Sequence, residues 1–285
     1  MNVTRRDLGI TLAAGSLAGI GLASAAQELA PPPGYHVMDM GGLKHLKPDK
    51  PERIARVIYP GMTPLDLVGP QQAFGYTQGC KVDLVAESMD PVVTDIGLKI
   101  LPTMTFDKMT GPVDLLFVPG GGKGTIAQMS NPVVLDFLNA KGQSARWVTS
   151  VCSGSLVLGA AGLLRGYKAT SHWAVREALP LLGATVATGR VVEDRNRITA
   201  GGVTAGIDFG LTLVAKLRGE DYARAVELML EYDPHPPFNS GTPTEAREDT
   251  SRFATRFYEP LLKSARAAAE TARTNGRRGE HLHAV

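Results

Sequence analysis

Cysteine is scarce in this chain: its 285 residues hold only Cys80 and Cys152. Two thiols are too few for a disulfide framework or a structural zinc site, and the one pairing open to them is a Cys80–Cys152 disulfide. Charge of a single sign is missing as well. Thirty basic residues face 28 acidic ones, for a formal charge of +2, which argues against a nucleic-acid surface. The histidines have no ligand spacing. His235 lies among prolines and His281 and His283 lie in the tail, so the sequence supports neither a metal nor a cofactor. Phosphate-binding loops are absent too. Gly120-Gly121-Gly122-Lys123-Gly124-Thr125 lacks the insert of a P-loop and is not G-x-G-x-x-G.

The N-terminus stands apart. Thr4-Arg5-Arg6-Asp7-Leu8 is a twin-arginine pattern, followed by an uncharged run over residues 8–27 and an A-x-A site ending at Ala25. A membrane anchor is the alternative, but four glycines and weak hydrophobicity favour an export signal that is removed. The expected organisation is a Tat-type signal over 1–25, a linker or arm over 26–52, a compact domain over 53–240, and a C-terminal helix and tail over 241–285. The expected location is the periplasm, without stable membrane association after signal removal. That compartment is oxidising, so a cysteine kept there as a free thiol points to chemistry.

From residue 53 onward, strand and helix patterns alternate. Strands are expected at 54–59, 81–86 and 113–118, with a strand pair over 92–102 turning at Ile96-Gly97. The continuous apolar run at 113–118 suits a strand buried on both faces. One helix is expected after the glycine loop through about Leu138, another over 175–182, and a hairpin crosses Asp194-Arg195-Asn196. Further helices are expected over 205–217, 222–232 and 244–270, with a frayed tail from Thr274. Such alternation predicts an α/β fold with a mostly parallel sheet, whose ligands bind beyond the carboxyl ends of the strands.

Residues 147–158 organise the rest. An apolar run stops at Cys152, and a helical pattern opens at once with Ser153, Gly154 and Ser155. Strand, sharp turn and helix make a nucleophile elbow. Helix N-terminal N–H groups would stabilise a thiolate there; alternatively Cys152 is a small buried hydrophobe. Gly121, beside Gly122, can complete an oxyanion hole with the N–H of Ser153, or the glycines can serve only a tight turn. Asp66, among apolar neighbours, can share a proton with the thiol or act as a helix N-terminal carboxylate. His172, twenty residues after Cys152, can pair with it or be structural.

Several of these runs, in order, resemble the DJ-1/PfpI superfamily: Leu65-Asp66-Leu67-Val68-Gly69-Pro70 with Phe74, Val118-Pro119-Gly120-Gly121, Val151-Cys152-Ser153-Gly154-Ser155 and Ala169-Thr170-Ser171-His172-Trp173. The Asp-x-x-Gly-Pro-x-x-x-Phe run, the elbow, the segment from Thr199 to Asp208 and the segment from Asp233 to Asn239 look most like its isonitrile hydratase branch. The resemblance implies a flavodoxin-like three-layer sandwich, usually a homodimer, acting on a small-molecule substrate. Cys152 would be the nucleophile, Asp66 the catalytic aspartate, and Ser153 would stand where the branch has threonine. Gly121, Gly122 and His172 would lie on the oxyanion or substrate side. Peptidases of the superfamily carry histidine directly after the cysteine, and Ser153 occupies that place here. Regulators carry a helix-turn-helix domain, whereas only one helix and a tail follow Phe238. The leading expectation is hydration of an isocyanide to an N-substituted formamide. A glyoxalase-like hydratase of aldehydes, or a non-catalytic envelope protein that senses ligands or oxidants, are the alternatives.

Overall fold

In the computed structural model, the described residues are 42–282, with side chains described through 275. The twin-arginine segment, the proposed cleavage site, the arm up to residue 41 and the last three residues lie outside them.

The sheet is built around β6 (Leu115–Val118) and β7 (Trp147–Ser150), paired in parallel. All four residues of β6 are buried, as a central parallel strand requires. On one side follow β1 (Glu52–Val57), β2 (Cys80–Ala86) and the short β5 (Met104–Thr105), all parallel. On the other lie β11 (Arg197–Ala200), parallel to β7, and β10 (Val191–Asp194), which is antiparallel. The seven-stranded order is therefore β10-β11-β7-β6-β1-β2-β5. Two small pairs stand outside it: β3 (Val92–Val93) with β4 (Lys99–Ile100), and β8 (Lys168–Ala169) with β9 (Thr185–Val186). The expected turn between β3 and β4 is present, with Gly97 at φ 86°.

Helices complete a flavodoxin-like α/β sandwich. Helix α1 (Pro64–Gly75) packs on α5 (Ala205–Arg218), which packs on α6 (Glu220–Met229). A second group holds α2 (Gly122–Gln128), α3 (Pro132–Gly142), α4 (Gly154–Ala160), a 3-10 helix (Arg176–Leu182) and α7 (Glu248–Leu282). The single helix expected after the glycine loop is thus two. Asn131 caps α3 by accepting the Val133 N–H at 3.1 Å, and Pro132 sits at its first position, so the chain restarts there. The stretch at 176–182 is 3-10 rather than α, with Pro180 inside it and Gly183 left-handed at its end. Helix α7 continues through the tail expected to fray, because each added residue extends a nucleated helix by one backbone hydrogen bond. Ala265 and Ala269 of α7 are fully buried in the main core. Among the described residues, no helix is long and apolar enough to cross a membrane.

Candidate active site

Four adjacent strands, β1, β6, β7 and β11, run in parallel and empty onto one edge. Their loops bring Asp66, Gly120, Cys152 and Val203 together. Cys152 adopts φ 57°, the left-handed region that a side chain other than glycine rarely enters. The turn is so tight that a Cβ on Gly154 would lie 2.3 Å from the Val118 carbonyl oxygen. A Cβ on Gly120 would meet the Ser153 nitrogen, Cys152 Cβ and Asp66 Oδ2, all within 2.8 Å. Glycine at these two positions is what lets the loops close on the sulfur.

The Cys152 side chain and the Asp66 carboxyl lie beside each other, since a Cβ on Gly120 would touch both, and each shifts the other's titration. Asp66 Oδ2 accepts the Gly120 N–H at 2.8 Å, while Oδ1 is buried without a hydrogen-bond partner. Asp66 is fully buried, and burial pushes its carboxyl up to about 7. The Gly120 N–H and the thiol pull it down, and the charge of Asp95 adds to the rise. Burial, and then the Asp66 charge, push the Cys152 thiol up as well. The N–H groups of Ser153 and Val203 on the sulfur act the other way, as expected at a helix start, but burial outweighs them. The pair therefore takes on one shared negative charge near neutral pH, and a second only far above it.

Ser153 faces inward. Its Oγ accepts the Gly121 N–H at 3.0 Å and lies 2.8 Å from Thr125 Oγ1. Thr125 is in turn 3.1 Å from the Tyr59 hydroxyl, which donates to the Pro119 carbonyl. Of the N–H groups expected to form an oxyanion hole, that of Gly121 is bonded to the Ser153 hydroxyl in this structure. Gly122, at the first turn of α2, keeps an N–H without an intrahelical partner and lines the space above Cys152.

That space is a cavity of about 420 Å³, reached by Cys152, Ser153, Gly121 and Gly122 from below. His172 lines it too, but its Nδ1 accepts the Ala174 N–H at 3.2 Å rather than meeting the thiol. The neutral ring then carries its proton on Nε2. Burial, helped by the Arg176 charge, lowers its pKa to about 4. Thr63 donates to Asp95 at 2.6 Å, which fixes an exposed carboxylate at the rim. Val203, Thr125 and Tyr59 carried no assignment from spacing. Val203 lay inside the run from Thr199 to Asp208, and Thr125 directly follows the glycine loop, so their place in sequence was the only signal.

Both cysteines are free thiols, so the Cys80–Cys152 disulfide does not form here. Among the described residues, no cluster of metal-ligating side chains occurs.

The DJ-1/PfpI family model matches residues 52–216, which contain the elbow, the glycine loop and Asp66. The chain belongs to the DJ-1/PfpI family. Within it, isonitrile hydratase of Pseudomonas putida is 45% identical over 221 residues, covering 77% of this chain and 96% of that protein. A THiJ/PfpI family protein from Pseudomonas syringae is 51% identical, with a TM-score of 0.76 over 77% of this chain and 90% of that one. Drosophila melanogaster DJ-1beta shares the fold at 20% identity, with a TM-score of 0.58 over 65% of this chain and all of that one.

Proposed function

We propose that this DJ-1/PfpI protein is a cysteine-dependent hydratase that adds water to a small isocyanide and releases an N-substituted formamide. The observation that carries this reading is Cys152 at the floor of a cavity with the buried Asp66 carboxyl directly behind it. The likeness to isonitrile hydratase supports the choice of substrate.

The pair holds one proton and one negative charge near neutral pH, which suits the reaction. The sulfur attacks the terminal carbon of the isocyanide, and the proton of the pair moves to that carbon. The product is a thioimidate, with new S–C and C–H bonds. Water adds to the thioimidate carbon as Asp66 accepts a proton. Asp66 then passes that proton to the nitrogen, the C–S bond breaks as the adduct's hydroxyl gives its proton to the Cys152–Asp66 pair, and the N-substituted formamide leaves. The N–H groups of Ser153 and Val203 stabilise charge on the sulfur, and that of Gly122 stabilises charge on the adduct. Ser153, tied to Gly121 and Thr125, holds the glycine loop in place.

Turnover of cyclohexyl isocyanide tests the reading, with formamide followed by mass spectrometry. N-cyclohexylformamide is expected from the wild type and not from Cys152→Ala. Turnover by Cys152→Ala, or consumption of methylglyoxal in preference to the isocyanide, would overturn it.

Two further proposals accompany this one. The chain is exported by its twin-arginine segment, which cell fractionation with and without Arg5→Lys/Arg6→Lys tests. It also forms a homodimer, supported by the exposed Leu65 and Val68 of α1 beside Val93, Ile96 and Leu98 of the β3–β4 segment. A monomeric mass by light scattering would remove that proposal.

A further inference from the structure

The cavity over Cys152 has two unlike sides. Its floor and one rim are strand-end loops and the first turn of α2, carrying Cys152, Ser153, the glycines, and the charged Asp95 and Lys123. The facing wall comes from α7, which contributes Phe257, Tyr258 and Leu261 and no charged side chain. An isocyano group is two atoms long, so most of a 420 Å³ space must be filled by whatever the isocyanide nitrogen carries.

We infer that Phe257, Tyr258 and Leu261 form the wall that selects the substituent, and that they favour an uncharged, bulky apolar group. This rests on the isocyanide reading for the reactive end, and on the cavity itself for the wall. Three observations support it. Phe257 is 67% exposed although it lines the cavity, so it presents apolar surface that a ligand would cover. Tyr258 is held in place, 5.2 Å from the His172 ring and edge-on to Trp173 at 5.5 Å, so the wall is formed before a ligand arrives. The helix that carries them is anchored elsewhere, by the buried Ala265 and Ala269 and by a 2.7 Å contact of Arg266 with Glu177. The wall also lies beyond residues 52–216, the span matched by the family, whereas the floor lies within it.

The test compares kcat/KM for methyl, tert-butyl, cyclohexyl and 4-carboxybenzyl isocyanide in the wild type, Phe257→Ala, Leu261→Ala and Phe253→Ala. Phe253 is the internal control, because it is exposed on the same helix one turn earlier and does not line the cavity. Phe257→Ala is expected to lower kcat/KM about tenfold for the cyclohexyl compound and less than about twofold for the methyl compound. Phe253→Ala should change neither, and the carboxylated compound should be poorer than the cyclohexyl one. An equal change across the series, or no change, would overturn the inference. A second measurement reads the wall without turnover: calorimetric binding of N-cyclohexylformamide to Cys152→Ala, with and without Phe257→Ala. If no isocyanide is turned over, the isocyanide reading fails and binding alone decides. About tenfold weaker binding in the double variant then sustains the wall; equal binding, or none by either protein, overturns it.

Discussion

Cys80 and Cys152 are both free thiols raised by burial, and each has a carboxylate beside it, yet their surroundings differ in kind. Cys80 begins β2, in an ordinary strand, with its thiol 3.6 Å from Glu52 and pushed up to about 12. Glu52 is gripped by Arg218 through two hydrogen bonds of 2.8 and 2.5 Å. Among the described residues, no cation shifts the Asp66 carboxyl beside Cys152. Asp66 accepts one backbone N–H, and burial raises its pKa to about 7. The sulfur also sits on a strained turn. A cysteine next to a carboxylate is thus not enough for chemistry; what separates the two sites is whether a cation already holds that carboxylate.

The widest separation between the two sites is expected from the thiols themselves. Cys152→Ala should abolish formamide production, while Cys80→Ala should retain it within about twofold, because Cys80 lies outside the cavity. Next come the carboxylates. Asp66→Asn should lower kcat by roughly 10²–10⁴-fold with the fold kept, as loss of a positioned acid–base group does. Glu52→Gln should instead cost about 3–5 kcal/mol in urea unfolding and leave kcat unchanged, because it strands the buried Arg218 charge. A change of kcat in Glu52→Gln, or unaltered kcat in Asp66→Asn, would erase the distinction.

Smaller effects follow from pH. The Asp66 pKa is raised in the fold from about 3.9 to about 7, so its stabilising contribution is full below pH 4 and is lost as pH rises through 7. The His172 pKa is lowered from about 6.5 to about 4, so its contribution is present above pH 6.5 and lost as pH falls through 4. These slopes oppose each other between roughly pH 4 and 7. In Asp66→Asn the stability should therefore rise with pH across that window, and in His172→Asn it should fall. Urea titrations at several pH values read both; parallel profiles in the two variants would contradict the assignment. The smallest change expected is in Asp95→Asn. Removing that rim charge should move the acid limb of the kcat/KM profile downward by under about one pH unit, because the exposed charge is partly screened.

Local signals in the sequence carried much of this arrangement. The apolar run of β6, the elbow at Cys152 and the glycine loop were readable because each is set by neighbours within a few residues. Asp66 could be flagged as a half-buried carboxyl, but its pairing with Cys152 depends on β1 and β7 flanking β6, which no local pattern encodes. The helix after the glycine loop was read too long because its apolar positions continue past Asn131-Pro132, where the cap and proline reset the helix. The Gly121 N–H was assigned to the substrate side because glycine suits such a role. Only the three-dimensional placement of Ser153 shows that a hydroxyl takes it. The helix expected over 244–270 is present in α7, yet its docking over the cavity joins residues more than eighty positions apart, beyond the reach of periodicity.

The parallel order of the central strands also bears on when the site comes into being. The Asp66–Gly120 contact closes a loop of 54 residues and the Gly121–Ser153 contact one of 32. Neither can form in a chain that has made only its helices and hairpins, and contacts of such separation are slow to gain. Reactivity of the thiol toward substrate should accordingly return in the last kinetic phase of refolding, after helical signal has recovered. The constellation is a reporter of complete sheet assembly, and a chain stalled one strand short would be inert.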